Sequence, residues 1–445
     1  MSMTPNANSQ MARVAAASVI GTVIEFYDFT IFGTAAALVF SKVFFPSLGS
    51  AAATAVALAT FGVAFVVRPF GAALFGHFGD RIGRKNTLVT TLLLMGLSTV
   101  GIGLLPTATS IGPMAAVLLV VLRCIQGLAM GGEWAGASLV TIENAPANAR
   151  GKYGMYPQLG PAFGFILSSI TFLLTSLTMS NAAFLSWGWR IPFLISALLI
   201  VVGLVVRISL EETGVFQKAV VEDSGVVKLP VVELFRRQCK EVVLATGSTI
   251  AVFGLFYLGI TYMTTYGTQN LGLSKTTVLL VGIAGGVALA IGTVFGAVWS
   301  DRVGRKRVLI TGNVLCLLAS AGLFPVVTAG GAVFLLLGVV VLQATIGLAY
   351  GPLGAYLPEL FAPRYRYTGA GLSYNIATVL GGGLTPIVAS QLVELFDPFA
   401  VGYYMAALCA ITLIALALSK ETYAPQAGDE GVSTKSATAS SITNS

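Results

Sequence analysis

The chain has 445 residues, of which 56% are apolar and only 10% charged, with 51 glycines and a net charge of +7. Soluble domains carry about 25% charged residues, so a mean hydropathy of +0.87 excludes a soluble globular fold. It also excludes disorder and collagen, while four scattered cysteines make no disulfide framework. What remains is a polytopic membrane protein whose 25 Lys and Arg residues orient helices in a bilayer and hold no nucleic acid.

Each crossing takes about 20 mostly apolar residues. Apolar runs predict helices over 14–40, 53–78, 86–106, 114–142, 153–178 and 190–210. The first run carries Glu25 and Asp28 and extends past about 20 residues, which reads as a permanent helix and not a cleaved leader. From 211 to 241, six acids and five bases read as a solvated linker with one amphipathic stretch on the membrane surface. Six more runs follow over 242–270, 276–299, 308–328, 332–357, 368–395 and 400–419. The expected fold is all-α, twelve transmembrane helices forming two pseudo-symmetric six-helix bundles. Its parts are a tail at 1–13, bundles at 14–210 and 242–419, the loop at 211–241, and a disordered tail at 420–445 rich in Ser, Thr, Ala and Gly.

If the N-terminus is cytoplasmic, 20 basic residues fall on the inner side and three (Lys42, Arg190, Lys275) on the outer. That asymmetry places both termini inside a plasma membrane. The halves echo each other. GDRIGRK at 79–85 recurs as SDRVGRK at 300–306, Glu143 and Arg150 have the spacing of Glu359 and Arg366, and Ser209 with Glu211 is echoed by Ser419 with Glu421. Paired features in matching order indicate duplicated bundles, a form many transporters take.

GHFGDRIGRK resembles the signature loop of the major facilitator superfamily, and RCIQG in span four is similar to its second motif. More narrowly, GTVIEFYDF, RPFGAALFGHFGDRIGRK, LRCIQGLAMGGEW, LSWGWRIPF and YRYTGAGLSYNIA resemble the metabolite:proton symporter family, whose members carry shikimate, 2-oxoglutarate, citrate, proline and betaine. The resemblance covers 14–420. It implies alternating access between two bundles, with Asp80, Arg81, Arg84, Glu143, Arg150, Asp301, Arg305, Glu359 and Arg366 gating the inner side as ion pairs. In span five the run PQLGPAFG replaces the usual sequence after PQLG, and Gly160, Pro161 and Gly164 resemble part of a drug-antiporter motif.

Glu25, Asp28, Arg68, Arg123 and Glu133 lie within apolar spans, where each charge costs roughly 2.5–3.5 kcal/mol and marks an ion or substrate path more often than not. Glu25 and Asp28 are three apart and share a helix face; Arg123, Gln126, Met130 and Glu133 share another. Counting ~1.5 Å per residue from the span ends brings Glu25 or Asp28 level with Arg123, and Arg68 level with Glu133. These are the expected pairs. Structural salt bridges would look the same, but a proton-coupled carrier needs an acid that can be switched, which assigns Glu25, Asp28 and Glu133 to proton coupling. Arg68, Arg123 and Gln126 are then candidates to hold substrate. Spans one, four, seven and ten line the cavity in the resembling superfamily, which adds Tyr257 and Tyr350; aromatic packing is the competing role. The second six spans carry no charge in their core. His77 is read as a local hydrogen-bonding residue, and Cys124, Cys239, Cys316 and Cys409 lack metal spacing. No metal, cofactor or enzyme activity is expected.

The leading expectation is a monomeric proton symporter importing a small organic acid. Uptake of a zwitterion such as betaine and proton-driven efflux are the alternatives. The tail lacks the heptads of the osmosensing branch. The topology predicts that, in a cysteine-free background on intact cells, Ser47→Cys reacts with an impermeant thiol reagent and Lys435→Cys does not; the reverse pattern overturns the orientation.

Overall fold

In hydrocarbon every backbone N–H and C=O must find its partner within the protein, so runs of this length close into helices. The computed structural model describes residues 5–82, 84–143, 145–208, 230–362 and 365–423; within these, the side chains of 5–14, 76–86, 88, 147, 207, 208 and 230–232 lie outside the description. Among the described residues eleven helices are long and apolar enough to span a membrane, and a shorter one, Val89–Leu104, completes twelve. In chain order they are α1 (Ala15–Val43), α2 (Ser50–Phe75), α3 (Val89–Leu104), α4 (Met114–Glu143), α5 (Arg150–Thr178), α6 (Gly188–Val206), α7 (Glu233–Gln269), α8 (Lys275–Val303), α9 (Arg305–Val327), α10 (Ala332–Glu359), α11 (Arg366–Leu395) and α12 (Pro398–Leu418).

The packing repeats with a shift of six helices. In the first bundle α1 lies on α5, α2 on α4, α3 on α4 and α6; in the second α7 lies on α11, α8 on α10, α9 on α10 and α12. Between bundles the main seams are α5 with α8 and α2 with α11, which exchange under the same shift. Glycines set the closest approaches. A Cβ on Gly127 or Gly131 of α4 would run into the α2 backbone at Ala64 and Arg68, and one on Gly347 or Gly351 of α10 would run into α8 at Leu289 and Thr293. Small residues at membrane helix crossings gain dispersion contacts that lipid cannot replace.

The signature segments, left between the helices predicted over 53–78 and 86–106 and over 276–299 and 308–328, are largely helical. Helix continues to Ile82 and restarts at Arg84, and in the second copy it runs to Val303 and restarts at Arg305. Gly304 alone makes the second reversal, at a φ of +105° that a side chain would resist. The basic residues flanking it end the apolar run without ending the helix. The helix leading into α7 begins at Pro230 with a kink at Gln238, inside the stretch read as linker. Three spans carry a π-helical turn: Ala36–Phe40 in α1, Leu258–Tyr262 in α7 and Thr378–Gly383 in α11.

Gly160 and Gly164 have a packing role. A Cβ there would meet Thr22 and the backbone of Tyr27, so the pair seats α1 on α5. Replacing Gly127 with alanine should cost about 1–3 kcal/mol through overpacking, lowering the melting temperature in detergent. Gly322→Ala, in a helix position with open space around it, should not lower it; equal melting of both variants would remove the close-approach argument.

Candidate functional site

The EFYDF run of α1 places two buried acids on one helix, and they face different neighbours. Glu25 meets Arg68 of α2, Oε1 to Nη2 at 3.7 Å, with both side chains 1% exposed. That separation makes an ion pair and exceeds hydrogen-bond length. Asp28 turns instead to α3 and α6, where Thr99 Oγ1 donates to its Oδ2 at 3.1 Å and Ser196 Oγ to its Oδ1.

Arg123 of α4 is fully buried and makes no ion pair among the described residues. Its guanidinium lies on the rings of Phe29 and Phe32, 4.2 and 4.1 Å from their centroids. Arg123 Nη1 donates to Gln126 Oε1 at 2.9 Å and Nη2 to the Phe61 carbonyl at 3.4 Å; its Nε has no partner. Gln126 Nε2 in turn donates to Thr99 Oγ1 at 2.6 Å. A chain of neutral groups therefore joins Arg123 to Asp28.

The expected partners are thus exchanged. Arg68 meets Glu25 and not Glu133, and Arg123 reaches Asp28 only through Gln126 and Thr99. Counting residues along a span fixes depth but not azimuth, and here the rings of Phe29 and Phe32 occupy the direct path. Glu133 is buried where α4 breaks after Gly131 and Gly132. Tyr257 packs edge-on against Phe29, Phe61 and Phe65, with centroids 5.8, 5.5 and 4.9 Å away. With Phe26, Pro161, Phe253 and Tyr350 it lines a small apolar cavity between the bundles.

Around this layer the bundles touch on both sides. Toward the signature segments, Trp134 of α4 stacks on Tyr374 of α11 at 3.9 Å. Trp134 Nε1 donates to Gln158 Oε1 at 2.8 Å, Gln158 Nε2 to the Tyr350 carbonyl at 3.1 Å, and the hydroxyls of Tyr350 and Tyr374 are 3.0 Å apart. At the opposite end Gln269 Nε2 donates to Thr54 Oγ1 at 3.0 Å and Lys275 Nζ to Asn181 Oδ1 at 2.6 Å. With Glu25, Asp28, Arg68 and Arg123 each at most 1% exposed, the site is occluded.

The gating residues divide into three groups. Asp80, Arg81 and Arg84 have side chains outside the described residues. Asp301 forms the strongest link, its Oδ1 accepting from the Gly151 N–H at 2.8 Å and Arg305 Nη1 at 2.6 Å, its Oδ2 from the Lys152 N–H at 2.7 Å. A carboxylate of α8 therefore caps the start of α5, where the helix dipole favours negative charge. Arg305 also meets Glu359 at 3.6 Å. The ion pairs expected of Glu143, Arg150 and Arg366 do not form among the described residues: Glu143 is exposed, Arg150 is half-buried, and Arg366 Nε donates to the Pro358 carbonyl at 3.1 Å. Both arginines sit at helix starts, where a backbone turn comes between them and the acids seven positions before.

Gln158, Trp134, Thr99 and Ser196 were not singled out by sequence reasoning. The available signal was a polar group within an apolar span, and for Gln158 its place in PQLG. Asp301→Asn should weaken the α5 cap by about 1–3 kcal/mol and favour opening at that end. In a cysteine-free background Ser138→Cys, normally buried and bonded to the Gly354 carbonyl, should then react faster with a thiol reagent; unchanged reactivity would count against a latch.

The family model for sugar (and other) transporters matches residues 14–422. The chain is 44% identical over 419 residues to the inner membrane metabolite transport protein YhjE of Escherichia coli, covering 92% of this chain and 94% of that one. It is 38% identical to the E. coli shikimate transporter (93% and 95% covered) and 32% identical to the E. coli proline/betaine transporter (93% and 84%). Among solved structures, a partially occluded inward-open form of the xylose transporter XylE from E. coli superposes with a TM-score of 0.74 at 19% identity, covering 94% of this chain and 99% of that one. The proton:xylose symporter XylE bound to a bromodeoxyglucose gives 0.73 at 20% identity, with 93% and 97% covered.

Proposed function

We propose, from the premise that this chain belongs to the sugar (and other) transporter family of the major facilitator superfamily, that it imports a small organic acid together with protons. That it is a multi-pass membrane transporter and not an enzyme follows from the family itself. The importer reading rests on one observation: Arg123 is buried between aromatic faces with no carboxylate partner among the described residues, near a second arginine that meets Glu25 at 3.7 Å.

A guanidinium is suited to bidentate contact with a carboxylate. With Glu25, Asp28, Glu133, Arg68 and Arg123 all ionised, the in-span sum is −1 and an anion is repelled. One bound proton removes that charge. Protonating Glu25 also frees Arg68, so a substrate carboxylate replaces the lost partner and no bare charge stays buried. Loading of proton and anion then favour each other, which is symport. When the site opens toward the cytoplasm, Glu25 releases its proton, reclaims Arg68 and expels the anion. Asp28, joined to Arg123 through Gln126 and Thr99, carries news of anion binding to α3 and α6, and the cap at Asp301 with Arg305 and Glu359 is the cytoplasmic latch. The inner membrane is the expected location, as for YhjE, with both termini inside.

The zwitterion reading is supported by the proline/betaine relative and by the rings of Phe29, Phe61, Phe65 and Tyr257. Those rings pack on one another, however, and the chain's own arginines already occupy the faces of Phe29. The efflux reading rests on Gly160, Pro161 and Gly164; Gly160 and Gly164 also seat α1 on α5, a packing role that favours neither direction of transport.

Uptake of labelled carboxylates and betaines into proteoliposomes, with and without an inward proton gradient, tests this directly. Gradient-driven accumulation of a carboxylate is expected; Glu25→Gln should abolish accumulation while exchange persists, and Arg123→Lys should raise KM by tenfold or more, about 1.4 kcal/mol. Intact proton-driven uptake after neutralising Glu25, Asp28 and Glu133 one at a time would sink the scheme, and accumulation of betaine alone would favour the zwitterion.

A further inference from the structure

Buried polar side chains in native proteins are almost always hydrogen-bonded, so an orphan asks for a partner. Gln343 of α10 is 0% exposed, and neither its Oε1 nor its Nε2 has a partner among the described residues. Ser169 of α5 is 1% exposed and its Oγ is equally unpartnered. These two belong to different bundles, yet both converge on α8. Gly282 presents its bare face to Ser169 Oγ, and Gly285, one turn on, presents its own to the Gln343 stem. The Gln343 amide also faces Gly259, inside the π-helical turn of α7, and such turns gather at functional sites.

The position is central. Gln343 shares a face of α10 with Ile346 and Tyr350, three and seven residues on, and both of those line the cavity between the bundles. The two arginines lie on α2 and α4, in the other half. The site thus has a cationic end on the first bundle, while across α8 an unpartnered amide of α10 and an unpartnered hydroxyl of α5 face Gly285 and Gly282.

We propose that Gln343, with Ser169, reads a neutral hydrogen-bonding group on the substrate, a hydroxyl or keto oxygen remote from the carboxylate. The substrate class is then a hydroxy or keto monocarboxylate. A second carboxylate would leave its charge against a neutral amide in a dry layer, and a plain aliphatic acid would leave the amide unsatisfied. An amide suits either oxygen because it both donates and accepts. This inference rests on the carboxylate reading for one end of the ligand and adds the other end.

Three probes separate the two claims: 4-hydroxycyclohexanecarboxylate, cyclohexanecarboxylate, and 1,4-cyclohexanediol, each assayed by binding to the purified full-length transporter and, for the acids, by proteoliposome uptake. Wild type should prefer the hydroxylated acid over the plain one by tenfold or more. Gln343→Met, which keeps the shape without the polar atoms, should erase that preference by weakening the hydroxylated acid alone, and Ser169→Ala should reduce it partly. Arg123→Lys should weaken both acids equally and keep their ratio. Retention of the wild-type ratio by Gln343→Met overturns the assignment, as does a wild type with no preference. Failure of the carboxylate reading shows differently, as equal binding of the diol and the hydroxylated acid. Should Gln343→Met fail to reach the membrane, Gln343→Leu and the wild-type ratio of the two acids decide the same question.

Discussion

A cation placed at mid-membrane in a helical bundle has few ways to exist, and most of this architecture follows from how Arg123 manages it. Lipid offers no counter-charge, and no acid of the chain pairs with Arg123 among the described residues. Its charge is held by ring faces and by a line of neutral dipoles running through Gln126 and Thr99 to Asp28. That arrangement requires α1, α3, α4 and α6 to keep fixed azimuths, because each contributes one link. It also accounts for the crowding of phenylalanines in α1 and α2. They exclude solvent, and their quadrupoles face the guanidinium, contributing about 0.5–2 kcal/mol each.

The two bundles differ in chemistry although they share a packing plan. The first holds the ionisable acids and arginines of the central layer; the second contributes tyrosines, threonines, Gln343 and Asn375. Division of this kind lets one half carry charge balance while the other supplies shape and hydrogen bonding. Contacts between halves are correspondingly neutral near the centre, as at Trp134, Gln158, Tyr350 and Tyr374, and become charged only at the helix ends, as at Asp301. Neutral contacts at the centre can part without exposing an ion to lipid.

Much of the fold was legible because the bilayer makes periodicity simple: apolar length gives spans, and the two copies of GDRIGRK and SDRVGRK mark the duplication. Helix ends were less legible, since nothing in the composition of Arg305–Arg307 says that helix resumes at once after Gly304. The ionisable groups of the candidate site were visible as charges in apolar runs, and their relative levels were readable from rise per residue. Partnership was not. Whether Glu25 meets Arg68 or Arg123 depends on rotation about the helix axis, which is decided by where glycines allow α2 and α4 to close, and no count along one helix contains it. The hydroxyls of Thr99 and Ser196 are unremarkable in sequence because Thr and Ser in membrane helices commonly bond to their own backbone; only their convergence on Asp28 sets them apart.

The cap on α5 has a consequence for how the molecule must move. The N–H groups of Gly151 and Lys152 belong to the first turn of a helix in one half, and their acceptor is a side chain in the other half. The secondary structure of α5 is therefore completed by a foreign element. When the halves separate at this end, these donors need a new acceptor in the same instant, and only water is abundant enough to serve. Hydration must lead the separation, with solvent wedging in at the α5 tip before the aromatic layer at Trp134 and Tyr374 parts. A carrier opening at this end would do so as a wetting front advancing from its rim toward its centre, with the helix tip as the place where the first molecules of solvent enter.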